Sequence, residues 1–292
     1  MDLAPPFAVI IPAHNEEAVI ARCLSTALAD RPAGYPIEVI VAANGCSDRT
    51  VQRARDAAPH ATILDLPDGS KTSAINAAIA AASITPCVVL DADVECNFDS
   101  LRALAEALTT DGVMTASPRI RMDLMGLSLP MKAYCNAWLK TPFAKAGEGG
   151  SGCYGLSAAA INQIGGFPDI IADDFWVQTR FTKAQKRLVT HTSDGQDVYS
   201  IVRPPRTMLE QIKVEARRQA GNAQVRALHP MPRSDAAVSS AADGGLLSSG
   251  LSLFELLAYG TVKVAARALK QAKKLKGSDG VWVRDLSSRG QG

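Results

Sequence analysis

The chain has 292 residues, 47% hydrophobic and 21% charged, with a net charge of +2. That is ordinary globular composition, long enough to bury a large core as one α/β domain with an appendage or as two small domains. A balance this near neutral excludes a global pull toward nucleic acid. Six scattered cysteines without a Cys-x-x-Cys pair exclude a disulfide frame or zinc site and read as buried thiols of a reducing compartment.

The opening residues, Met1 to Pro6, have neither a basic n-region nor an apolar h-segment, so no secretory signal is read and a cytoplasmic location is expected. Phe7 to Ile11 is a continuous apolar run stopped by Pro12, the pattern of a strand buried on both faces. Ile20, Cys23, Leu24, Ala27 and Leu28 then recur at helical spacing. Residues 37–42 make a second buried strand, followed by an Asn44-Gly45 turn, and Asp48 is placed to cap a helix through Gln52 and Ala57. Thr62 to Leu66 is a short third strand. Ser70 precedes a helix with Ala74, Ile75, Ala78, Ile79 and Ala82 on one face. A fourth apolar run, Cys87 to Leu90, ends at Asp91-Ala92-Asp93, and a helix with Leu101, Leu104, Ala105 and Leu108 follows.

Strands separated by such helices predict a doubly wound, mainly parallel sheet with helices on both faces, because parallel neighbours need a crossover. Ligands in that architecture sit beyond the carboxyl ends of the strands. His14-Asn15-Glu16, Asn44-Gly45 and Asp91-Ala92-Asp93 all fall at such ends. The two carboxylates of the last cluster can share a hard divalent cation, magnesium or manganese, which takes oxygen ligands and substrate phosphates. Standing alone, the same pair is explained by a solvated strand end.

Beyond residue 118 the pattern loosens. Residues 122–146 mix helix with the breakers Pro130 and Pro142, and residues 147–155 are glycine-rich. Residues 158–164 read as a short helix ended by Gly165-Gly166, residues 187–202 as β structure turning at Asp194-Gly195, and residues 207–220 as helix. Residues 229–250 read as a linker. From Leu246 to Leu275 an apolar stretch is interrupted by Glu255, Lys263, Arg267, Lys270 and Lys274, placed opposite Leu253, Leu256, Leu257, Val264 and Leu275. A spanning helix needs about 20 predominantly apolar residues. This pattern instead describes a basic amphipathic helix, lying in a membrane interface or docked on the body of the protein.

Five pieces of the chain occur together in order. They are Val9 to Glu17, Val39 to Asp48, Lys71 with Asn76, Asp91-Ala92-Asp93, and Ile164 to Pro168 leading to Asp173-Asp174. On them the chain resembles the family 2 glycosyltransferases, inverting enzymes of the GT-A fold that use nucleotide-sugars. The resemblance covers residues 7 to about 222. It divides the chain into a catalytic domain over 1–228, with a donor-binding half about 1–118 and an acceptor-binding half about 119–228, then the linker, then a basic helix and tail over 251–292.

The resemblance implies roles residue by residue. Pro12, Ala13 and Asn15 line the nucleotide loop, with Glu16 on the ribose hydroxyls. Asn44 stands where the family often has an acid reading the uracil edge, and its amide offers a donor and an acceptor. Lys71, Asp91 and Ala92 lie near the donor, and Asp93 matches the metal ligand whose cation bridges the diphosphate. Arg217 and Arg218 sit where the family covers the diphosphate, and an arginine fork suits phosphate oxygens. Asp174, with Asp173 before it, matches the general base that deprotonates the acceptor hydroxyl. Gly152, Cys153, Tyr154 and Trp176 fall in the acceptor region, where glycine permits close backbone approach.

The Gln-x-x-Arg-Trp motif of processive synthases is absent, which points to addition of single sugars, as in cell-surface polysaccharide or glycolipid synthesis. The donor expected is a UDP-sugar, and the acceptor a saccharide or lipid-linked hydroxyl at the cytoplasmic face of a membrane. A catalytically degenerate nucleotide-sugar-binding scaffold would not need Asp174. A sugar nucleotidyltransferase would carry a basic, glycine-rich loop where this chain has His14-Asn15-Glu16-Glu17.

Overall fold

A computed structural model describes residues 5–147, 149–228 and 250–275. The expected linker at 229–250 and the last part of the tail lie almost wholly outside them. Strands β1 (Phe7–Ala13), β2 (Ile37–Asn44), β3 (Thr62–Leu66) and β4 (Cys87–Leu90) alternate with helices α1 (Ile20–Leu28), α2 (Thr50–Ala57) and α3 (Lys71–Ala81). Then come β5 (Glu95–Cys96), α4 (Phe98–Leu108), β6 (Thr115–Met122), α5 (Leu129–Leu139), α6 (Pro142–Lys145), β7 (Cys153–Leu156) and α7 (Ala158–Ile164). The described chain closes with α8 (Asp173–Arg180), β8 (Lys186–Val189), β9 (Tyr199–Val202), α9 (Met208–Leu228) and α10 (Leu253–Leu275).

The sheet runs β3-β2-β1-β4-β7-β6-β9-β5, with β8 also paired to β6. It is parallel from β3 through β4, as the helical crossovers require. β7 then enters antiparallel between β4 and β6. Every residue of β1 is buried. Phe7, Val9 and Ile11 join Ile20 and Leu24 of α1 and Leu101 and Leu104 of α4 in one core cluster. Their alternates Ala8 and Ile10 point to the opposite face, and α3 packs on β1 and β2 outside that cluster. The fold is thus mixed α/β with helices on both sheet faces.

Two details differ from the sequence reading. Pro12 does not end its strand but pairs with Ala42 inside β1. β4 accompanies β1 only over Ala8–Ile10, so at Pro12 a missing amide interrupts no ladder on that side. β6 was not foreseen either. Its Pro118 reads as a breaker, yet that residue pairs with Val189 of β8.

Two compact units divide the described residues. The first holds the residues up to Arg121, Gly149–Asp169 and Val177–Val202; the second holds Met122–Glu148, Ile170–Trp176 and the residues from Arg203 on. In the second unit α10 packs on α5 and α9, burying Ala258, Tyr259, Val262 and Ala266. Tyr259 stacks on Tyr134 with ring centroids 5.8 Å apart. Lys140 reaches Glu255 at 2.9 Å, and Lys263 reaches the buried Glu215 at 2.7 Å. Two of the charges that the sequence sets opposite the leucines, Glu255 and Lys263, therefore hold the helix down, and the buried Glu215 gains the cation it needs. No helix among the described residues is long and apolar enough to cross a membrane.

Burial works to raise the Glu215 pKa, but the Arg218 and Lys263 charges outweigh it and hold the group below the ordinary glutamate value. A carboxyl lowered in the fold stabilises above its unfolded pKa, and that contribution disappears as pH falls through the folded value. Glu215→Gln is expected to cost about 1–3 kcal/mol at neutral pH, discounted because both cations are part-exposed. Urea titrations should show the gap to wild type closing in acid. A gap that holds constant to low pH would contradict the ion-pair account.

All six cysteines are free thiols, five of them buried. Burial pushes the Cys87 and Cys135 thiols up to about 12, leaving almost no thiolate to react. Alkylation of the native protein, read by mass spectrometry, should therefore fall first on the part-exposed Cys46.

Candidate active site

In the first unit, the loops after β1, β2 and β3 are tied together beyond the strand ends. His14 Nδ1 donates to the Asn44 carbonyl at 2.5 Å, and a Cβ on Gly69 would come within 3.3 Å of the His14 ring. Asn15 sits in the left-handed region at φ 55°. Its side-chain oxygen accepts from Ser47 N at 2.7 Å. The Glu16 amide donates to Thr50 Oγ1 at 2.6 Å, and Asp48 Oδ1 accepts the Thr50 amide at 2.9 Å. Asp48 thus opens α2 from one position further out than a simple cap.

The Asn44 amide group donates to Ala13 O at 2.9 Å and Ala42 O at 3.3 Å. Its donors are turned into the sheet, so the expected donor toward a base edge is already engaged. Glu16, expected on the ribose, is buried.

At the end of β4, Lys71 Nζ lies 2.7 Å from Asp91 Oδ1, with both side chains about one-third exposed. Lys71 opens α3, whose Ser70 cap accepts the Ser73 amide. The Asp91 amide donates to Gly152 O at 2.8 Å. Gly152 has φ 58°, and a Cβ there would meet Val94 Cγ2 at 2.4 Å and Asp91 Oδ2 at 3.3 Å. Only glycine combines that backbone angle with that approach. Asp93 is part-exposed two residues on, beyond the buried Ala92.

Gly152→Ala combines overpacking, about 1–3 kcal/mol, with a left-handed penalty of about 1–2 kcal/mol. We expect a melting temperature lower by several degrees and a displaced Asp91 loop, read by calorimetry and nucleotide titration; an unaltered melt would show that the loop yields freely.

The acceptor-region residues are not all in an open loop. Cys153 and Tyr154 belong to β7, pair with Leu90 and Val89, and are buried. The glycine-rich loop ends at Gly152.

In the second unit, Asp173 is buried and Asp174 part-exposed at the start of α8, followed by the buried Phe175 and Trp176. Asp174 Oδ1 accepts the Phe175 amide at 2.7 Å. The segment before α8 is clasped by α9. A Cβ on Gly221 would stand 3.0 Å from Ala172 Cβ, and Gln224 Oε1 accepts the Ile171 amide at 3.0 Å. Arg226 lies over the Phe175 ring at 5.1 Å. Arg218, expected on a diphosphate, forms a two-pronged contact with Glu215 at 2.9 and 3.0 Å. The neighbouring Arg217 is part-exposed on α9.

Asn76 entered the sequence reading as a match without a role. It clamps the Gly165-Gly166 turn, donating to Phe167 O and accepting Phe167 N, each at 2.8 Å. Glu215 and Gln224 were missed, having no signal beyond being polar residues within a helix. No group of three or more histidine, cysteine or acidic side chains that could hold a metal occurs among the described residues. Any cation here must rest on one or two carboxylates and the substrate's own oxygens, as magnesium and manganese commonly do.

A sheet of this order, with an acid pair and a lysine at its carboxyl edge, is the GT-A arrangement of glycosyltransferases. Residues 8–152 match the model of glycosyl transferase family 2. Among solved structures, a mannosyltransferase from Pyrobaculum calidifontis in complex with GDP-Man and Mn2+ is 21% identical, with a TM-score of 0.61 over 94% of this chain and 83% of that one. Glucosyl-3-phosphoglycerate synthase from Mycobacterium tuberculosis, in complex with Mn2+, UDP and glucosyl-3-phosphoglycerate, is 20% identical, with a TM-score of 0.52 over 79% of this chain and 82% of that one. At such identities the likeness speaks for the fold. No curated relative matches the chain.

Proposed function

We propose that the protein moves a single sugar from a nucleotide-sugar, a UDP-sugar first, to a hydroxyl acceptor with inversion at the anomeric carbon. The observation that carries this is the Lys71–Asp91 ion pair at 2.7 Å, two residues from Asp93 at the end of β4. It supports a ligand site there, since one cationic and two anionic side chains stand at the carboxyl edge of a sheet of this kind.

Asp93 fits a hard cation, since its neighbour Asp91 is already engaged by Lys71 and phosphate oxygens can complete the set. Manganese or magnesium, when bound, would neutralise charge on the departing diphosphate. The solved mannosyltransferase and synthase carry Mn2+ in their complexes, which supports the same cation here.

Lys71 holds Asp91 in one orientation toward the donor. Asp174 takes the acceptor hydroxyl proton as that oxygen attacks the anomeric carbon and the bond to the diphosphate breaks. Asp173 lies buried beside it at the start of α8. Arg217, a part-exposed guanidinium on α9, is the arginine we assign to the diphosphate.

GDP is the second donor reading, favoured by the inward-turned Asn44 amide and by the GDP-Man complex of the mannosyltransferase. The basic helix supports a membrane-proximal, lipid-linked acceptor. Thermal stabilisation by UDP, GDP, dTDP and CMP, each with and without manganese, tests the reading. A ligand at about 100 times its Kd adds about 2.7 kcal/mol. A manganese-dependent shift with one nucleotide is expected. A folded sample that responds to none would overturn the nucleotide-sugar reading, and a shift without any transfer would favour the scaffold.

A further inference from the structure

Every exposed large hydrophobic residue among the described residues belongs to the second unit, and half of them are on α10. Leu253, Phe254, Leu257 and Val264 are between 53% and 72% exposed although the opposite face of the helix is docked. With 3.6 residues per turn, these four fall within one arc of about 100°. Thr261, Ala268 and Ala272 extend the same outward stripe, so that no charged side chain interrupts it. Scattered surface apolar residues need no explanation, whereas a continuous stripe does.

We infer that this stripe is a docking face for an anionic lipid surface, with α10 lying in the headgroup region while its inner face stays on α5 and α9. The charge on the helix selects the occupant. α10 carries five basic residues and one acid. Glu255 and Lys263 are turned inward onto Lys140 and Glu215. Arg267 is exposed beside the stripe, whereas Lys270 and Lys273, part-exposed further along, lie nearer the docked side of the helix. An exposed apolar stripe bordered by an exposed arginine, on a helix with excess positive charge, suits an anionic interface. A second copy meeting this face would bring like charges together. Leu253, Leu257 and Val264 belong to the apolar face read in the sequence, while Lys263, set opposite them, is turned onto Glu215.

This deepens the membrane-proximal acceptor proposed above. Binding is read apart from transfer, so either can fail alone. The full chain is floated with vesicles of phosphatidylcholine alone and of phosphatidylcholine mixed with phosphatidylserine. Wild type should rise with the anionic vesicles, weakly with the neutral ones, and be released by high salt. Leu257→Gln/Val264→Gln should lose about tenfold or more in vesicle affinity while keeping the wild-type melting temperature, since both side chains are exposed. Arg267→Gln should weaken binding to anionic vesicles alone. Wild type that stays behind, or a Leu257→Gln/Val264→Gln variant that floats as well as wild type, overturns the inference. So does a mass in light scattering that falls from dimer to monomer in that variant without any vesicle binding.

Discussion

Asp174→Asn is expected to lower kcat by about 10²–10⁴-fold, the range for a lost general base. Donor binding should stay unchanged. Asparagine keeps the shape of the side chain and the oxygen that accepts the Phe175 amide, so the start of α8 should hold. What disappears is the capacity to take a proton. Nucleotide-sugar titration by calorimetry beside steady-state kinetics separates the two effects. An Asp174→Asn protein that fails to bind donor, with its melt unchanged, would place Asp174 in the donor site and leave the base to be found elsewhere.

Asp93→Asn carries the second large effect. Removing one ligand from a site with few protein donors should abolish the manganese-dependent part of nucleotide binding and cost about 10²–10³-fold in turnover. The control is Lys71→Met, which removes the partner of Asp91 but no proposed ligand of the cation. It should weaken donor binding at every manganese concentration, leaving the metal midpoint in place. If Asp93→Asn titrates with manganese as wild type does, the cation is held elsewhere.

The parallel half of the fold was legible because β1, β4 and most of β2 are buried and appear as apolar runs, while β3, part-exposed at the sheet edge, still shows a short apolar segment. β3 and β4 occupy the residues that the runs marked, and β1 and β2 continue about two residues past them. What failed were elements whose sequence carries a contrary local signal. Pro118 hides β6, and the short β7 looks like loop because glycines precede it. Ladder pairing with distant strands overrides both signals.

At the site, strand ends were legible because topology alone brings them to one edge. The state of individual polar groups was not. Asn44 and Arg218 read as ligand contacts, yet each has found a partner inside the protein, an outcome set by neighbours 2 to 31 residues away. The terminal helix shows the same limit. Its amphipathicity was plain, but which side would meet the body depended on Glu215, a buried acid that no periodicity reveals.

The antiparallel entry of β7 has a consequence for how the molecule is made. β4 is flanked by β1, already synthesised, and by a strand that emerges some sixty residues later, with the Gly152 carbonyl completing the Asp91 loop. Until then the nascent chain presents β4 as an open edge of four buried, apolar residues, the kind of edge that invites pairing with other chains. A fragment stopped at residue 118 would keep that edge permanently. It should aggregate where the full chain does not, making the donor half a segment of sequence but not an independent folding unit.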